Sequence, residues 1–329
     1  MTGRSLRPTL NEIQATVRNE LREVEVELRR IVDDDSPLIA AVSTHLMGMK
    51  GKMLRPTLVL LANAIDDHRG AGATTLAAIL ELIHVATLVH DDAVDHSVLR
   101  RGMPTLNSLL GHQVSVIAGD FLYLRALKEL ARLGNVPALR VITDASDEMT
   151  RSELTQLTRD EPLSSTEEDY ERLIEGKTAS LFRAACELGA LAGAPEYRVA
   201  LARYGTKLGM AFQVTDDLLD YTAEQAVTGK PSGLDLRERK MTLPLIAALR
   251  TLSPSARAQV EALFSTESPT DEAIHDVVTL VTDAGGLDYA RRRGAAYALE
   301  AEAALSELPD TPARAALADT ISYVTERSR

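Results

Sequence analysis

Two aspartate clusters of one pattern, Asp91-Asp92-Ala93-Val94-Asp95 and Asp216-Asp217-Leu218-Leu219-Asp220, stand far apart in the chain. In each, the first and last aspartates are four residues apart, which on an α-helix sets both carboxylates on one face, about one turn from each other. Like charges held that close repel, and a fold tolerates them most readily with a cation between them. Hard oxygen donors suit Mg²⁺, which keeps several waters and takes one or two protein carboxylates plus phosphate oxygens of a substrate. Two such partial sites facing one cavity would suit a diphosphate, with Asp91, Asp92, Asp95, Asp216, Asp217 and Asp220 as candidate ligands. A single cluster of this kind reads more simply as a solvated helix face. The flanks argue otherwise: Leu80 through His90 and Gly209 through Thr215 are too apolar for exposed surface, and carboxylates ending buried stretches need partners or metal.

The elements that position these residues read as helices. Ala, Leu, Glu and Arg dominate, strand-like alternation is scarce, and apolar residues recur at three- and four-residue spacing. The expected fold class is therefore all-α, as one large domain or two smaller ones. A first helix is expected from Thr9 to Val32, ending at Asp33-Asp34-Asp35-Ser36-Pro37, an acidic run read as solvated capping. Asp160 through Thr166 reads as a loop before a helix whose first turn holds Glu167 and Glu168. Gly229-Lys230-Pro231-Ser232-Gly233 is a further break, basic enough to serve as a flap over a phosphate site. From Ser253 onward come amphipathic helices with no chemistry of their own.

The 329 residues are enough for a large core, and the net charge of -12 argues against nucleic acid as a partner. An anionic substrate must then be received by metal ions and a few placed cations. The single cysteine, Cys186, excludes an internal disulfide and reads as a core residue. Nothing at the N-terminus resembles a signal peptide, so a cytoplasmic setting is expected. No apolar run is read as reaching the ~20 residues that span a bilayer, which leaves at most peripheral membrane contact.

Several cations stand beside apolar or glycine-containing breaks: Lys52 and Arg55 in Gly51-Lys52-Met53-Leu54-Arg55-Pro56, Arg100-Arg101-Gly102 after the first cluster, and Lys177, Lys230 and Lys240 around the second. Arg suits bidentate phosphate contacts and Lys serves as a point charge. These residues, with Glu81-Leu82-Ile83-His84, Pro104-Thr105, Gly119-Asp120-Phe121, Gly176-Lys177-Thr178-Ala179, Phe212-Gln213 and Lys240-Met241-Thr242-Leu243-Pro244, resemble the trans-isoprenyl diphosphate synthases, also called polyprenyl synthetases, over about residues 50–240.

That resemblance implies one helical bundle around a central cavity, with 1–329 as a single domain: an N-terminal helix over 1–35, a core over about 45–250 and C-terminal helices over 253–329. It implies Mg²⁺, about three ions with diphosphate bound, held chiefly by Asp91, Asp95 and Asp216, which with Lys177 are the implied catalytic residues. Arg100, Lys177, Thr178, Gln213 and Lys230 or Lys240 would hold an allylic diphosphate. Lys52, Arg55, His84 and Arg101 would hold isopentenyl diphosphate. His84 stands seven residues before Asp91, on the same helical face, while His90 reads as structural. Departure of diphosphate from the allylic substrate, attack by the isopentenyl double bond and proton loss to the released diphosphate would follow, in a pocket that keeps water out. Two positions depart from the family pattern: Gly-Gly-Lys-Arg is here Lys50-Gly51-Lys52-Met53, and the usual glycine before the last lysine is Arg239.

Chain length in such enzymes is set below the first cluster, where this chain has Ala86 and Thr87, with Ile83 deeper. Both upper residues are small, and one helical turn is ~5.4 Å, comparable with one isoprene unit. An all-trans product of hexaprenyl to decaprenyl length is expected, with a quinone side chain as its use. The rivals are a shorter geranylgeranyl or farnesyl diphosphate synthase, a class I terpene cyclase, and a non-catalytic subunit of a two-component synthase, which would commonly lack metal aspartates. The resemblance also implies a homodimer.

Overall fold

The computed structural model describes residues 8–49, 51–67, 69–158, 161–222 and 233–326. In chain order the helices are α1 (Leu10–Ile13), α2 (Arg18–Val32), α3 (Pro37–Gly48), α4 (Leu54–Asn63), α5 (Ala73–Val94), α6 (Leu106–Leu110), α7 (His112–Leu133), α8 (Val136–Leu157), α9 (Glu167–Ile174), α10 (Ser180–Gly193) and α11 (Arg198–Thr222). They continue with α12 (Leu234–Arg237), α13 (Leu243–Leu249), α14 (Pro254–Ser265), α15 (Asp271–Asp283), α16 (Gly286–Leu305) and α17 (Pro312–Thr325). One antiparallel ribbon, β1 (Leu99–Arg100) on β2 (Met103–Pro104), is the strand content of the described residues. The all-α expectation holds.

Local chemistry sets the boundaries. Thr9 caps α1 in a reciprocal box with Glu12, and Thr166 caps α9 in another with Asp169, each satisfying amides that the first turn leaves open. The expected helix from Thr9 to Val32 is interrupted: Gln14–Val17 tightens into a 3₁₀ turn, which lets Ile13 and Val17 both reach the core. The acidic run after α2 is less solvated than expected, because Asp34 is paired with Arg125 and accepts from the Ser36 amide at 3.0 Å. After α5 the chain leaves the helix and turns through Arg101 (φ 54°) and Gly102 (φ 77°), the doubly left-handed turn that suits a two-residue hairpin.

α5 is the central element. Leu76, Ile79, Leu80, Leu82 and Ile83 are essentially inaccessible, and a fully buried aliphatic side chain contributes about 1.5–3 kcal/mol. Against the sequence expectation, α5 is long and apolar enough by composition to cross a membrane. It reads that way because a helix packed on all sides is apolar on all sides. α4, α7 and α10 pack on it, and α11 packs on α10. That last crossing is close: a Cβ on Gly209 would stand 2.6 Å from the Ala179 Cα, and one on Gly205 would stand 2.6 Å from the Phe182 carbonyl oxygen.

The apolar interior falls into three parts. The largest surrounds α4, α5 and α10. A second lies among the C-terminal helices around Leu245, Val260 and Val277. A third, with Tyr170, Ile174, Met210, Val214, Leu243 and Tyr297, fills the space between α9, α11, α13 and α16. The first aspartate cluster ends α5 on the large core, and the second lies at the end of α11 above the third.

Candidate functional site

Both clusters occupy the last turns of long helices, α5 and α11 as far as it is described, where the helix dipole is negative and disfavours carboxylates. They face a cavity of about 970 Å³, whose wall carries Asp91 and Asp95 from α5 and Asp216 from α11. Burial, with help from Glu153 and Asp95 and against Lys177 and Arg100, pushes the Asp91 carboxyl up to about 6.

The middle aspartate of each cluster turns away from this wall. Asp92 is 4% exposed and takes the Arg100 guanidinium Nε at 2.8 and 2.9 Å on its two oxygens. Asp217 is 5% exposed; it accepts from the Tyr170 hydroxyl at 2.5 Å and from the Gln213 amide at 2.8 Å. Asp220 accepts from the backbone N–H groups of Leu234 and Asp235 at 3.1 and 3.0 Å. Of the six sequence candidates, Asp91, Asp95 and Asp216 therefore line the cavity, while Asp92, Asp217 and Asp220 are tied into the fold around them. Burial raises the Asp217 and Asp220 carboxyls, and also that of Asp235, which sits against both.

Among the described residues no three carboxylate, imidazole or thiolate groups close around one point. Oxygen donors split between two walls do not make a closed protein cage. They fit a hard cation that keeps most of its own waters and takes its remaining ligands from a bound anion.

The cations divide in the same way. Lys177 and Lys240 line the cavity, each beside a carboxylate: Lys177 pairs with Glu153 and donates to Gln156 at 3.2 Å, and Lys240 pairs with Glu238 at 2.5 Å. Burial alone would lower the Lys240 ammonium, but Glu238 outweighs it and raises the group above its ordinary value. Lys177 and Thr178 stand in a wide π-helical turn, Glu175–Ala179, that joins α9 to α10, an irregularity frequent at functional sites. Thr178 donates to the Gln213 carbonyl at 2.6 Å. Lys230 lies outside the described residues, as does most of the flap expected around it.

At the other end, Arg55 lines the cavity, donates to His84 Nε2 at 3.0 Å and lies 4.9 Å over the Phe182 ring. Burial and the positive charges of Arg55, Arg101 and Arg100 push His84 well below its ordinary value. The imidazole is thus neutral, with Nε2 accepting from the guanidinium and the proton on Nδ1. Buried Glu81, raised by burial, is countered by Arg55 and Arg101. Arg101 also donates to the Met49 carbonyl at 3.2 Å, and Lys52 sits 5.8 Å over the Tyr323 ring. Lys52, Arg100 and Arg101 are off the cavity wall. His90 touches the wall, but its ring packs where a Cβ on Gly119 would lie and reaches the Val116 carbonyl at 3.2 Å.

Of the expected chain-length positions, Thr87 lines the cavity, whereas Ala86 (1% exposed) and Ile83 (0%) are packed inside the core. Consecutive helical residues point about 100° apart, so Ala86 and Thr87 do not share a surface. Sequence reasoning missed Glu153, Tyr170, Asp235 and Glu238. Asp235, between Leu234 and Leu236, carried a signal of its own, an acid within an apolar triplet; Tyr170 looked like an ordinary core aromatic.

A sequence profile described as Polyprenyl synthetase matches residues 36–281. The octaprenyl diphosphate synthase of Escherichia coli (strain K12) is 37% identical over 322 residues, covering 97% of this chain and 99% of that protein. The crystal structure of a decaprenyl diphosphate synthase from Rhodobacter capsulatus superposes with a TM-score of 0.92 at 37% identity, covering 98% of this chain and all of that one, 100%. A polyprenyl synthase from Caulobacter crescentus CB15, complexed with calcium and isoprenyl diphosphate, gives a TM-score of 0.91 at 34% identity, over 97% of this chain and 98% of that chain.

Proposed function

The chain belongs to the polyprenyl synthetase family, whose members are trans-prenyltransferases, and we propose that it condenses isopentenyl diphosphate with an allylic diphosphate to make a long all-trans polyprenyl diphosphate. The observation that carries the reading is the cavity itself: carboxylates on two walls, cations between them, and an apolar side formed by Leu88, Leu181 and Phe212.

Asp91, Asp95 and Asp216 would hold Mg²⁺, which when bound supplies Lewis acidity toward the departing diphosphate. Lys177, Lys240, Thr178 and Gln213 would hold that diphosphate from the cavity wall, and the family resemblance assigns Arg100 and Lys230 to the same group, although Arg100 stands off the wall on Asp92. Arg55 and neutral His84 would hold the isopentenyl diphosphate from the cavity wall, with Lys52 and Arg101 assigned to it by the family resemblance although they stand off that wall. Keeping His84 neutral lets it orient the guanidinium without adding a positive charge of its own. Leu88, Leu181 and Phe212 exclude water from the cationic carbon skeleton while the isopentenyl double bond attacks it. The proton then passes to the departed diphosphate, which the cations retain nearby.

Product length follows from Thr87. One turn below Asp91, it presents a short side chain to the cavity where an aromatic would close it, and each further isoprene unit gains burial at about 0.8 kcal/mol per carbon. Octaprenyl and decaprenyl synthases among the relatives support the same length class. We further place the enzyme in the cytoplasm, supplying a quinone side chain. We also infer a homodimer, through the exposed apolar residues Val98, Leu99, Leu109, Ile117 and Leu124 near α6 and α7.

The test is incubation of purified protein with isopentenyl diphosphate, farnesyl diphosphate and Mg²⁺, followed by dephosphorylation and sizing of the prenyl alcohols. Products of hexaprenyl length or longer, abolished by EDTA and by Asp91→Ala, are expected; a product ending at geranylgeranyl would refute the length. Thr87→Phe should shorten the product. Ala86→Phe is the poorer probe, because it overpacks the core at a separate cost of about 1–3 kcal/mol.

A further inference from the structure

Tyr170 lies on α9, far in sequence from either aspartate cluster, yet its hydroxyl donates to Asp217 Oδ2 at 2.5 Å. The ring is 3% exposed, in the third apolar cluster with Met210, Val214 and Tyr297. From Asp217 the hydrogen bonds run on to the cavity: the Gln213 amide donates to Asp217 Oδ1 at 2.8 Å, and the Thr178 hydroxyl donates to the Gln213 carbonyl at 2.6 Å. Thr178 and Gln213 both line the cavity.

Behind Tyr170, α9 is fastened to the C-terminal helices by its two flanking glutamates. Glu167 accepts from the Tyr289 hydroxyl at 2.7 and 2.8 Å and from Arg250 at 2.7 Å. Glu171 accepts from the Tyr297 hydroxyl at 2.6 Å and pairs with Arg293, which itself donates to the Tyr297 oxygen at 2.9 Å. Tyr170 itself is on the cavity wall and stands between these two anchor points, so its hydroxyl is fixed from the side of the C-terminal helices. A phenol is suited to this place. It donates to a buried carboxylate without bringing a positive charge next to Asp216, the cavity-facing neighbour of Asp217.

We propose that Tyr170 is a positioning residue for the second aspartate cluster: through Asp217 and Gln213 it orients the Asp216 wall and Thr178 for metal-bound diphosphate, and α16 holds it in place. The inference rests on the functional reading above and adds to it a wall residue whose hydroxyl is engaged by Asp217 rather than offered to substrate or metal. Groups that orient ligands from behind change metal affinity or activity by about 10–100-fold when removed.

The test is Tyr170→Phe, which removes one oxygen and keeps the ring. Calorimetric titration of Mg²⁺ into protein saturated with a non-reactive thio-linked allylic diphosphate analogue should show the midpoint raised by about 10-fold. The KM for isopentenyl diphosphate should stay within about two-fold, because Arg55 and His84 stand on α4 and α5, outside the α9–α11 chain of hydrogen bonds. On an Asp217→Ala background, which removes the acceptor of the Tyr170 hydroxyl, the same substitution should cause no further shift. A Tyr170→Phe protein that loses thermal stability but keeps the wild-type Mg²⁺ midpoint would overturn the proposal, as would additive effects of the two substitutions. Should Tyr170→Phe not fold, Tyr297→Phe, which frees Glu171 from one of its donors, carries the same measurement with a smaller expected rise, and an unchanged midpoint there counts against the proposal. Wild-type protein assayed alongside separates the two levels: no prenyl product from it removes the functional reading, whereas active wild type with an unshifted variant removes only this inference.

Discussion

The two aspartate clusters share a sequence pattern and a place at the end of a long helix, but the fold neutralises them differently. At the first, the buried middle carboxylate, Asp92, meets a full positive charge from Arg100, delivered by the hairpin that follows the helix. At the second, Asp217 meets a phenol and a carboxamide, and Asp220 meets two backbone N–H groups. Neutral donors stabilise a carboxylate but leave its negative charge in the cavity's surroundings. The second wall is therefore the more electronegative of the two, and the pair of halves teaches that a repeated motif specifies the position of the oxygens while its neighbours specify the charge.

The largest expected effect tests the charged half. Arg100→Met takes the guanidinium from a carboxylate that is only 6% exposed, and breaking a buried pair costs about 3–5 kcal/mol. Because Arg100 itself is 30% exposed, the lower figure, about 3 kcal/mol, is expected by urea denaturation. A loss below ~1 kcal/mol, the value of an exposed pair, would mean that Asp92 does not depend on its cation and would erase the contrast.

A matched pair of amides sharpens it. Asp92→Asn leaves Arg100 facing a neutral group and should cost about 2 kcal/mol, the worth of a hydrogen bond to a charged partner. Asp217→Asn is expected to be close to neutral, because the asparagine oxygen still accepts from Tyr170 and a flipped Gln213 amide completes the set, its nitrogen then meeting the Thr178 hydroxyl oxygen. The pH dependence has the same origin. Burial raises the Asp217 carboxyl, and that of Asp91 to about 6, above the unfolded value of about 4. Between those values the folded chain binds more protons than the unfolded chain, so the stability of metal-free protein falls as pH rises through that window. In EDTA the melting temperature should drop between pH 5 and pH 8, at roughly 2–4 °C for each kcal/mol in a chain of this size. Asp217→Asn should flatten the slope; an unchanged slope would place the electrostatic burden elsewhere.

The difference between the halves also marks how far the sequence could be read. The four-residue spacing put Asp91 and Asp95 on one cavity wall, and the seven-residue step from His84 to Asp91 placed the imidazole there too, because each relation lies within one helix; at the second cluster the same spacing held for Asp216 but not for Asp220, which turns to the Leu234 and Asp235 amides. What answers the second cluster comes from other elements. Tyr170 is 47 residues from Asp217, and no spacing rule links an aromatic on one helix to an acid on another. All six aspartates were candidate ligands in one dimension, and only packing showed what Asp92, Asp217 and Asp220 hold instead. The same limit applies to Ala86 and Thr87, adjacent in sequence but turned to different surroundings. The apolar length of α5 likewise said that it was buried, not in what.

The smallest expected effect concerns the turns that follow each cluster, where an arginine takes a left-handed backbone: Arg101 at φ 54° after the first and Arg239 at φ 57° after the second. A non-glycine residue there costs about 1–2 kcal/mol. The chain bears that cost for different returns. Arg101 reaches the Met49 carbonyl and faces buried Glu81 beside the proposed isopentenyl diphosphate site. Arg239 is on the cavity wall beside Lys240, but its guanidinium donates to the Thr266 carbonyl at 3.0 Å. Arg239→Gly relieves the backbone, loses that one hydrogen bond and loosens the unfolded chain, leaving a net gain of about 0.5 kcal/mol. The Lys240 amide keeps its 2.7 Å bond to the Asp235 carbonyl, so the KM for the allylic substrate should hardly move. Arg101→Gly relieves the same strain but removes a charge from the isopentenyl side, so it should raise the KM for isopentenyl diphosphate by at least about ten-fold, the effect of ~1.4 kcal/mol. If both substitutions left kinetics intact, the strain at Arg101 would have no functional counterpart, and the two turns would differ only in sequence.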